Sequence, residues 1–252
     1  MRSLIPFLVV ASAVVLAPAA PCFAFELRPM SRVFATSGSN ATQSFEVVNR
    51  GADRVALEVT VVSLERDESY VETNHGADDD FLVYPSQIVL RAGATQAIRV
   101  SWLGEPNLAR ERTYRIVVSE LPIEVVSPPQ KGAPVAVGKM RIFLTYKGTL
   151  FIRPAGAAPR VAVGQAVSVT GADGVPSLAL SLENSGSSVG LVRGCAVRLQ
   201  GAGQTIDVAP AALAPLKNTR ILAGSRRRYL LAWPPSLPVG PVTATARCDV
   251  EP

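Results

Sequence analysis

The chain has 252 residues, 48% of them hydrophobic and only 6% aromatic, and carries a formal charge of +5. That length suits one large or two ordinary domains, and the mild basic excess, without a long basic run, excludes the electrostatic footprint of a nucleic-acid binder. Its 19 glycines and 20 prolines leave little room for long helices. At the N-terminus, Arg2 precedes an apolar stretch from Leu4 to Ala20 that is interrupted by Pro6 and Pro18. Cys22-Phe23-Ala24 then places small residues three before and immediately before a cut, so residues 1–24 read as an export signal that leaves Phe25 first. The stretch falls short of the ~20 apolar residues of a membrane anchor, and Pro21 disfavours a lipoprotein site at Cys22.

The next elements are strands. Val55, Leu57, Val59 and Val61 keep period two, and Val62 and Leu64 resume it after a one-residue slip, as at a β-bulge. Ile98-Val100-Trp102, Tyr114-Ile116-Val118, Leu178-Leu180-Leu182 and Val242-Ala244-Ala246-Cys248 repeat the alternation, with Gly, Pro, Asn and Ser clusters between them. This spacing predicts an all-β chain of immunoglobulin-like sandwiches.

An internal repeat divides the chain. Phe45-Glu46-Val47-Val48-Asn49-Arg50-Gly51 recurs as Leu180-Ser181-Leu182-Glu183-Asn184-Ser185-Gly186, an apolar strand closed by an Asn-x-Gly turn. Ala92-Gly93 followed by Trp102 recurs as Ala223-Gly224 followed by Trp233 at the same spacing. Ile98, Val100 and Trp102 thereby match Tyr229, Leu231 and Trp233 as inward residues of one strand in each copy. Two consecutive sandwiches are predicted, 25–154 and 155–252, meeting near Arg153 to Pro159.

Without Cys22, two cysteines remain. Cys195 shares a face with Val197 and Leu199, and Cys248 with Ala244, Ala246 and Val250, so both thiols point into the second sandwich. In an oxidising compartment they are expected to bond, worth about 4 kcal/mol by loop closure; the alternative is two buried free thiols. Little else carries chemistry. The single histidine, His75, lies in a polar stretch with Asp78, Asp79 and Asp80 that reads as a solvated loop tip rather than a metal site. There is no nucleophile elbow, zinc signature or phosphate-binding Gly loop, so no catalytic residue, metal or cofactor is assigned. Arg226-Arg227-Arg228, the densest basic cluster, reads as a solvated strand face.

The most informative segment runs from Lys139 to Pro154, after a Pro-, Gly- and Lys-rich loop from Pro122 to Gly138. Met140, Ile142 and Leu144 alternate with Arg141, Phe143 and Thr145. If Phe143 faces the core, the three aliphatics form an exposed row; periodicity alone leaves open that both rows are buried.

In these residues the chain resembles the periplasmic pilus-assembly chaperones of the PapD-like family. The matching words are Ser31-Arg32-Val33-Phe34, Val47-Val48-Asn49-Arg50-Gly51, Tyr84-Pro85, Leu90-x-Ala92-Gly93, Ile98-Arg99-Val100-x-Trp102, Tyr114-Arg115-Ile116, Glu120-Leu121-Pro122 and Leu150-Phe151-Ile152-Arg153-Pro154. The resemblance covers the first domain and thins in the second. It implies a non-enzymatic, periplasmic chaperone that is not membrane-embedded. Such a protein caps pilus subunits by donor-strand complementation and delivers them to an outer-membrane usher. Carried over by position, the inserted row is Met140, Ile142 and Leu144. Of the cations that anchor the subunit's terminal carboxylate, the arginine falls on Arg32. The lysine position is Thr149, with Lys147 two residues earlier on the same face. The family's interdomain pair falls on Glu120 and Arg153. A secreted two-domain pilus subunit or adhesin is the competing reading, although the mature N-terminus enters a strand at once; a secreted sugar-active enzyme stands further off.

Overall fold

The computed structural model describes residues 25–123, 142–171 and 174–252. The predicted signal, Met140 and most of the loop before it lie outside these residues. The first half forms β1 (Glu26–Arg28), β2 (Ser31–Ala35), β3 (Thr42–Val48), β4 (Val55–Ser63), β5 (Glu65–Arg66), β6 (Glu72–Thr73), β7 (Phe81–Tyr84), β8 (Gln87–Leu90), β9 (Thr95–Trp102), β10 (Arg112–Glu120) and β11 (Thr145–Arg153). The second forms β12 (Val161–Thr170), β13 (Pro176–Asn184), β14 (Gly190–Gly201), β15 (Gln204–Asp207), β16 (Thr219–Ile221), β17 (Arg226–Ala232) and β18 (Thr243–Glu251). Among the described residues no helix is long and apolar enough to cross a membrane.

The chain folds as two immunoglobulin-like sandwiches, each around its own core. In the first, a sheet ordered β1-β3-β9-β7 packs on one ordered β2-β11-β10-β4-β8. The first strand changes sheets at Pro29, which has no N–H to continue the β1–β3 ladder. In the second, β12-β13-β17 packs on a sheet in which β14 pairs β15 and β16 on their rungs and β18 along most of its length.

The sequence repeat is a repeated hydrogen-bond hub. Asn49 is wholly buried; its Nδ2 donates to the carbonyls of Asp53 (2.7 Å) and Leu90 (3.2 Å), and its Oδ1 accepts from the Gly51 N–H (2.9 Å). Asn184 does the same, donating to Ser188 (2.8 Å) and Ile221 (3.0 Å) and accepting from Gly186 (3.0 Å). The N–H of Gly93 closes on the Asn49 carbonyl at 3.0 Å, and that of Gly224 on Asn184 at 2.9 Å, both glycines at φ near +70° where a side chain would be strained. A buried amide with all its partners in place is what makes this residue worth repeating. The two tryptophans follow suit, Trp102 donating to the Glu105 carbonyl and Trp233 to that of Leu237.

The slip after Val61 is not a bulge. β4 keeps one continuous register with β10 from Leu57 to Ser63 and then ends, and Leu64 is buried outside the sandwich core, where the chain turns away.

Candidate functional site

β11 is paired along one side and only half paired along the other. It runs antiparallel to β10 from Thr145 to Ile152, but its opposite edge meets β2, in parallel, only from Thr149 to Arg153. The Thr149 N–H donates outward to the Met30 carbonyl at 2.9 Å, whereas the Leu144 carbonyl accepts inward from Glu120. Period-two alternation therefore turns the backbone groups of Thr145 and Lys147 toward the outer edge, where no described strand pairs them.

Register also decides the faces, and it reverses the expected orientation at Phe143. Tyr146, Gly148 and Leu150 lie opposite Val118, Ile116 and Tyr114, all core residues of β10. Gly148 is required there, since a Cβ would stand 2.8 Å from Ile116 Cγ2. Even-numbered residues thus face inward: Leu144 packs on the core, and Ile142, next in the same row, emerges 65% exposed past the end of the sandwich. Phe143 is on the other row, 44% exposed.

The outward face of β11 overlooks a cleft of about 500 Å³ between the domains. Arg66, Arg115, Lys147, Arg220 and Arg227 line it, and no carboxylate does among the described residues. Lys147 Nζ lies 3.5 Å from Asn74 Oδ1. Arg115 Nη1 donates to the Thr149 hydroxyl at 2.5 Å, while its Nε and Nη2 donate to the two oxygens of Glu72 at 3.1 and 2.7 Å. Arg66 also donates to Glu72, at 3.2 Å. The hydrogen bond from Arg115, followed by those from Asn74 and Arg66, holds the Glu72 carboxyl at about 2 against the opposing effect of burial. Arg66 and Arg227, one from each domain, both lie over the Tyr70 ring at 3.7 and 3.5 Å.

Arg32 does not reach this cleft. On β2 it lies opposite Leu150, on the row shared with buried Phe34, whereas its neighbour Ser31 lies opposite Thr149 and lines the cleft. Arg32 instead borders surface hollows with Ser44, Glu46, Asn40 and Gln43.

The interdomain pair also differs from the expectation. Arg153 Nε donates to Glu111 Oε2 at 2.5 Å, and Glu111 Oε1 accepts from the Val189 N–H of the second domain at 3.1 Å. Glu120 is at the far end of β10, beside Leu144, with a buried Oε2 that has no partner among the described residues. Strand direction explains the difference: β11 is antiparallel to β10, so Arg153 meets the start of β10 and cannot meet its end. The Glu111 side chain is wholly buried, and burial pushes its carboxyl above the usual range despite Arg153. A second joint forms where the β5–β6 hairpin touches β17. The Arg228 N–H donates to the Glu68 carbonyl at 2.7 Å, and Arg226 pairs with Glu68 and Glu183. The basic cluster, read as solvated, is thus partly an interface.

Cys195 and Cys248 form a disulfide between directly opposed residues of β14 and β18, packed on the second core. His75 is exposed, and Asp80 accepts the Tyr114 hydroxyl at 2.8 Å. Sequence reasoning missed Glu72, Arg115 and Glu111. Arg115 stood inside a matching word, but its partners lie 43 residues before it and 34 after it, where no local pattern points.

Residues 29–158 match the family model described as pili and flagellar-assembly chaperone, PapD N-terminal domain. Among solved structures, the class 5 fimbriae chaperone CfaA superposes with a TM-score of 0.54 at 13% identity, over 90% of this chain and 98% of that one. A structure described as a chaperone–tip adhesin complex of CFA/I fimbriae biogenesis gives 0.54 at 14%, over 82% and 88%. The CsuC–CsuE chaperone–tip adhesion subunit pre-assembly complex from Csu pili of Acinetobacter baumannii gives 0.51 at 14%, over 81% and 89%. These likenesses concern the fold. A search of curated proteins finds no match.

Proposed function

We propose that this chain, which belongs to the PapD-like family of pili and flagellar-assembly chaperones, captures pilus subunits in the periplasm by lending them the open edge of β11. The observation that carries this reading is the edge at Thr145 and Lys147, unpaired among the described residues, beside an apolar row that leaves the sandwich at Leu144 and Ile142. A subunit that lacks a strand offers the complement: two bare sheet edges and an apolar groove between them. Backbone pairing along the edge would supply affinity, and Ile142 and Leu144, preceded by Met140, would fill the groove.

The cationic cleft beside that edge would receive the subunit's terminal carboxylate. A carboxylate brought between two domains loses water and needs charged donors in return. Lys147 offers one from β11 itself, which would couple the register of the added strand to the contact, and the Arg115 fork offers two parallel bonds. Residues 1–24 would serve export, and the captured subunit would pass to an outer-membrane usher.

Purification from periplasm tests the reading. A stoichiometric, small, β-rich partner is expected; polymers of the chain itself would instead make it a pilus subunit. Ile142→Asp is the cleaner probe of the row, because Ile142 is mostly exposed while Leu144 also packs on the core. It should abolish co-purification with the thermal transition unmoved. Collapse of the fold with capture intact would make the row structural.

A further inference from the structure

Two arginines of the cleft already hold a carboxylate that stands outside its lining. Glu72 takes both side-on donors of Arg115 and a third from Arg66, the contacts a bound ligand carboxylate would make. Among the described residues it is the one acid ion-paired with any of the five cleft-lining cations, through Arg66 and Arg115, and it comes from β6, a strand of only two residues. We propose that Glu72 is a resident placeholder. In the free protein it occupies the guanidinium fork of Arg115, and the carboxylate of an incoming chain takes that fork by displacing it.

Exchange of one carboxylate for another keeps Arg115 paired throughout, so no buried cation is left bare at any stage. Glu72 needs only to turn its side chain toward water, because the β5–β6 backbone is held separately by the Glu68 carbonyl against β17. The Glu72 carboxyl, held at about 2, does not vacate the fork by protonation near neutral pH, so only a competing anion can remove it. Arg66 keeps a buried Nε–H without a partner among the described residues, a donor that Glu72 leaves unused. A weak carboxylate without an accompanying strand would lose to the tethered one, and a chain that also pairs with β11 would win. The placeholder thus makes capture depend on both contacts at once.

This inference rests on the cleft's proposed role as a carboxylate site. It is tested on the full exported chain with two labelled probes: a ten-residue alternating apolar peptide with a free C-terminal carboxylate, and the same peptide amidated. The readout is the ratio of their affinities by fluorescence anisotropy. Glu72→Gln should raise the preference for the free carboxylate by about fivefold or more, the lower range for coupling between ligands of one site. Arg115→Gln should erase the preference, and Glu72→Gln should then add nothing. If Glu72 serves to orient Arg115, the ratio falls in Glu72→Gln. A fall, or an unchanged ratio, including no measurable binding of either peptide, overturns the placeholder. Whether a subunit co-purifies with the parent chain judges the capture reading separately.

Discussion

The last strand of each sandwich occupies a comparable place and meets a different fate. Among the described residues β11 is left half paired, with Thr145 and Lys147 facing an open edge and no covalent tie. β18 pairs β14 from Leu191 to Gln200, is bonded to it through Cys248, and carries Arg247, Asp249 and Glu251 on its solvent side. An unpaired edge is a liability that most sheets suppress. Among the described residues β18, too, is paired on one side only, so the difference is the covalent tie: fastening the second domain's last strand while leaving the first's untied separates recruitment of a partner from stability of the scaffold. The shared asparagine hub marks what both halves need in order to fold; the strands that follow it mark where their tasks diverge.

Breaking the fastening should have the largest effect. Cys195→Ser with Cys248→Ser opens a loop spanning 53 residues and should cost the second domain about 4 kcal/mol, an upper figure from loop closure. Calorimetry should show the second domain's transition falling while the first stays in place. A matching fall in the first would mean that the domains unfold as one unit and that the division of labour is not thermodynamic.

The hub should give comparable losses. Asn49→Ala strands two carbonyls and one N–H, and Asn184→Ala strands two carbonyls and the N–H groups of Gly186 and Arg160, so each should cost its own domain about 3 kcal/mol. Denaturant melts of the two variants check the match. A difference well beyond 1 kcal/mol would show that the matching geometry conceals unequal roles.

The carboxylates of the cleft and the joint should titrate with opposite signs. Glu72 is depressed in the fold, so its contribution is present above the ordinary carboxylate range and is lost as pH falls from there toward about 2. The loss should be on the order of 2 kcal/mol, and Glu72→Gln should remove it. Glu111 is raised by burial, so ionising it costs the folded state, and its contribution improves as pH falls through its folded value. Urea melts across that range should flatten on the acid side for Glu72→Gln and steepen for Glu111→Gln. The same slope in both would mean that Arg153 outweighs burial at the joint.

Much of this was legible in the sequence because it is local. Period two gave the strands, and the repeated Asn-x-Gly with its distant Ala-Gly gave both hubs. Cys195 and Cys248 announced their faces through their neighbours. What failed was long-range. Which row of 142–147 faces inward depends on register against β10, and an isolated aromatic at Phe143 suggested the wrong one. Glu120 and Glu111 both sit near the ends of one strand, and only its antiparallel pairing with β11 selects Glu111 for Arg153. The Arg115–Glu72 contact joins strands that are not sequence neighbours and leaves no pattern along the chain.

The smallest expected effect is also the most pointed test of the two faces of β2. Ser31 and Arg32 are adjacent, so their side chains project to opposite sides of the sheet, and only Ser31 is on the side of the cleft. Arg32 is exposed and is not among the residues that line the cleft. Arg32→Ala should therefore change stability by less than about 0.5 kcal/mol, as for a surface residue outside any network. Capture of the co-purifying subunit should be unchanged, and so should the preference for a free over an amidated terminus, whereas Arg115→Gln should lose that preference. The two variants differ in one respect that matters: which side of β2–β11 the cation serves. Loss of capture in Arg32→Ala, confined to subunits with a free carboxylate, would move the anchor to the opposite side. That would require β2 to shift by one residue against β11, because a single step exchanges the faces of every side chain on the strand.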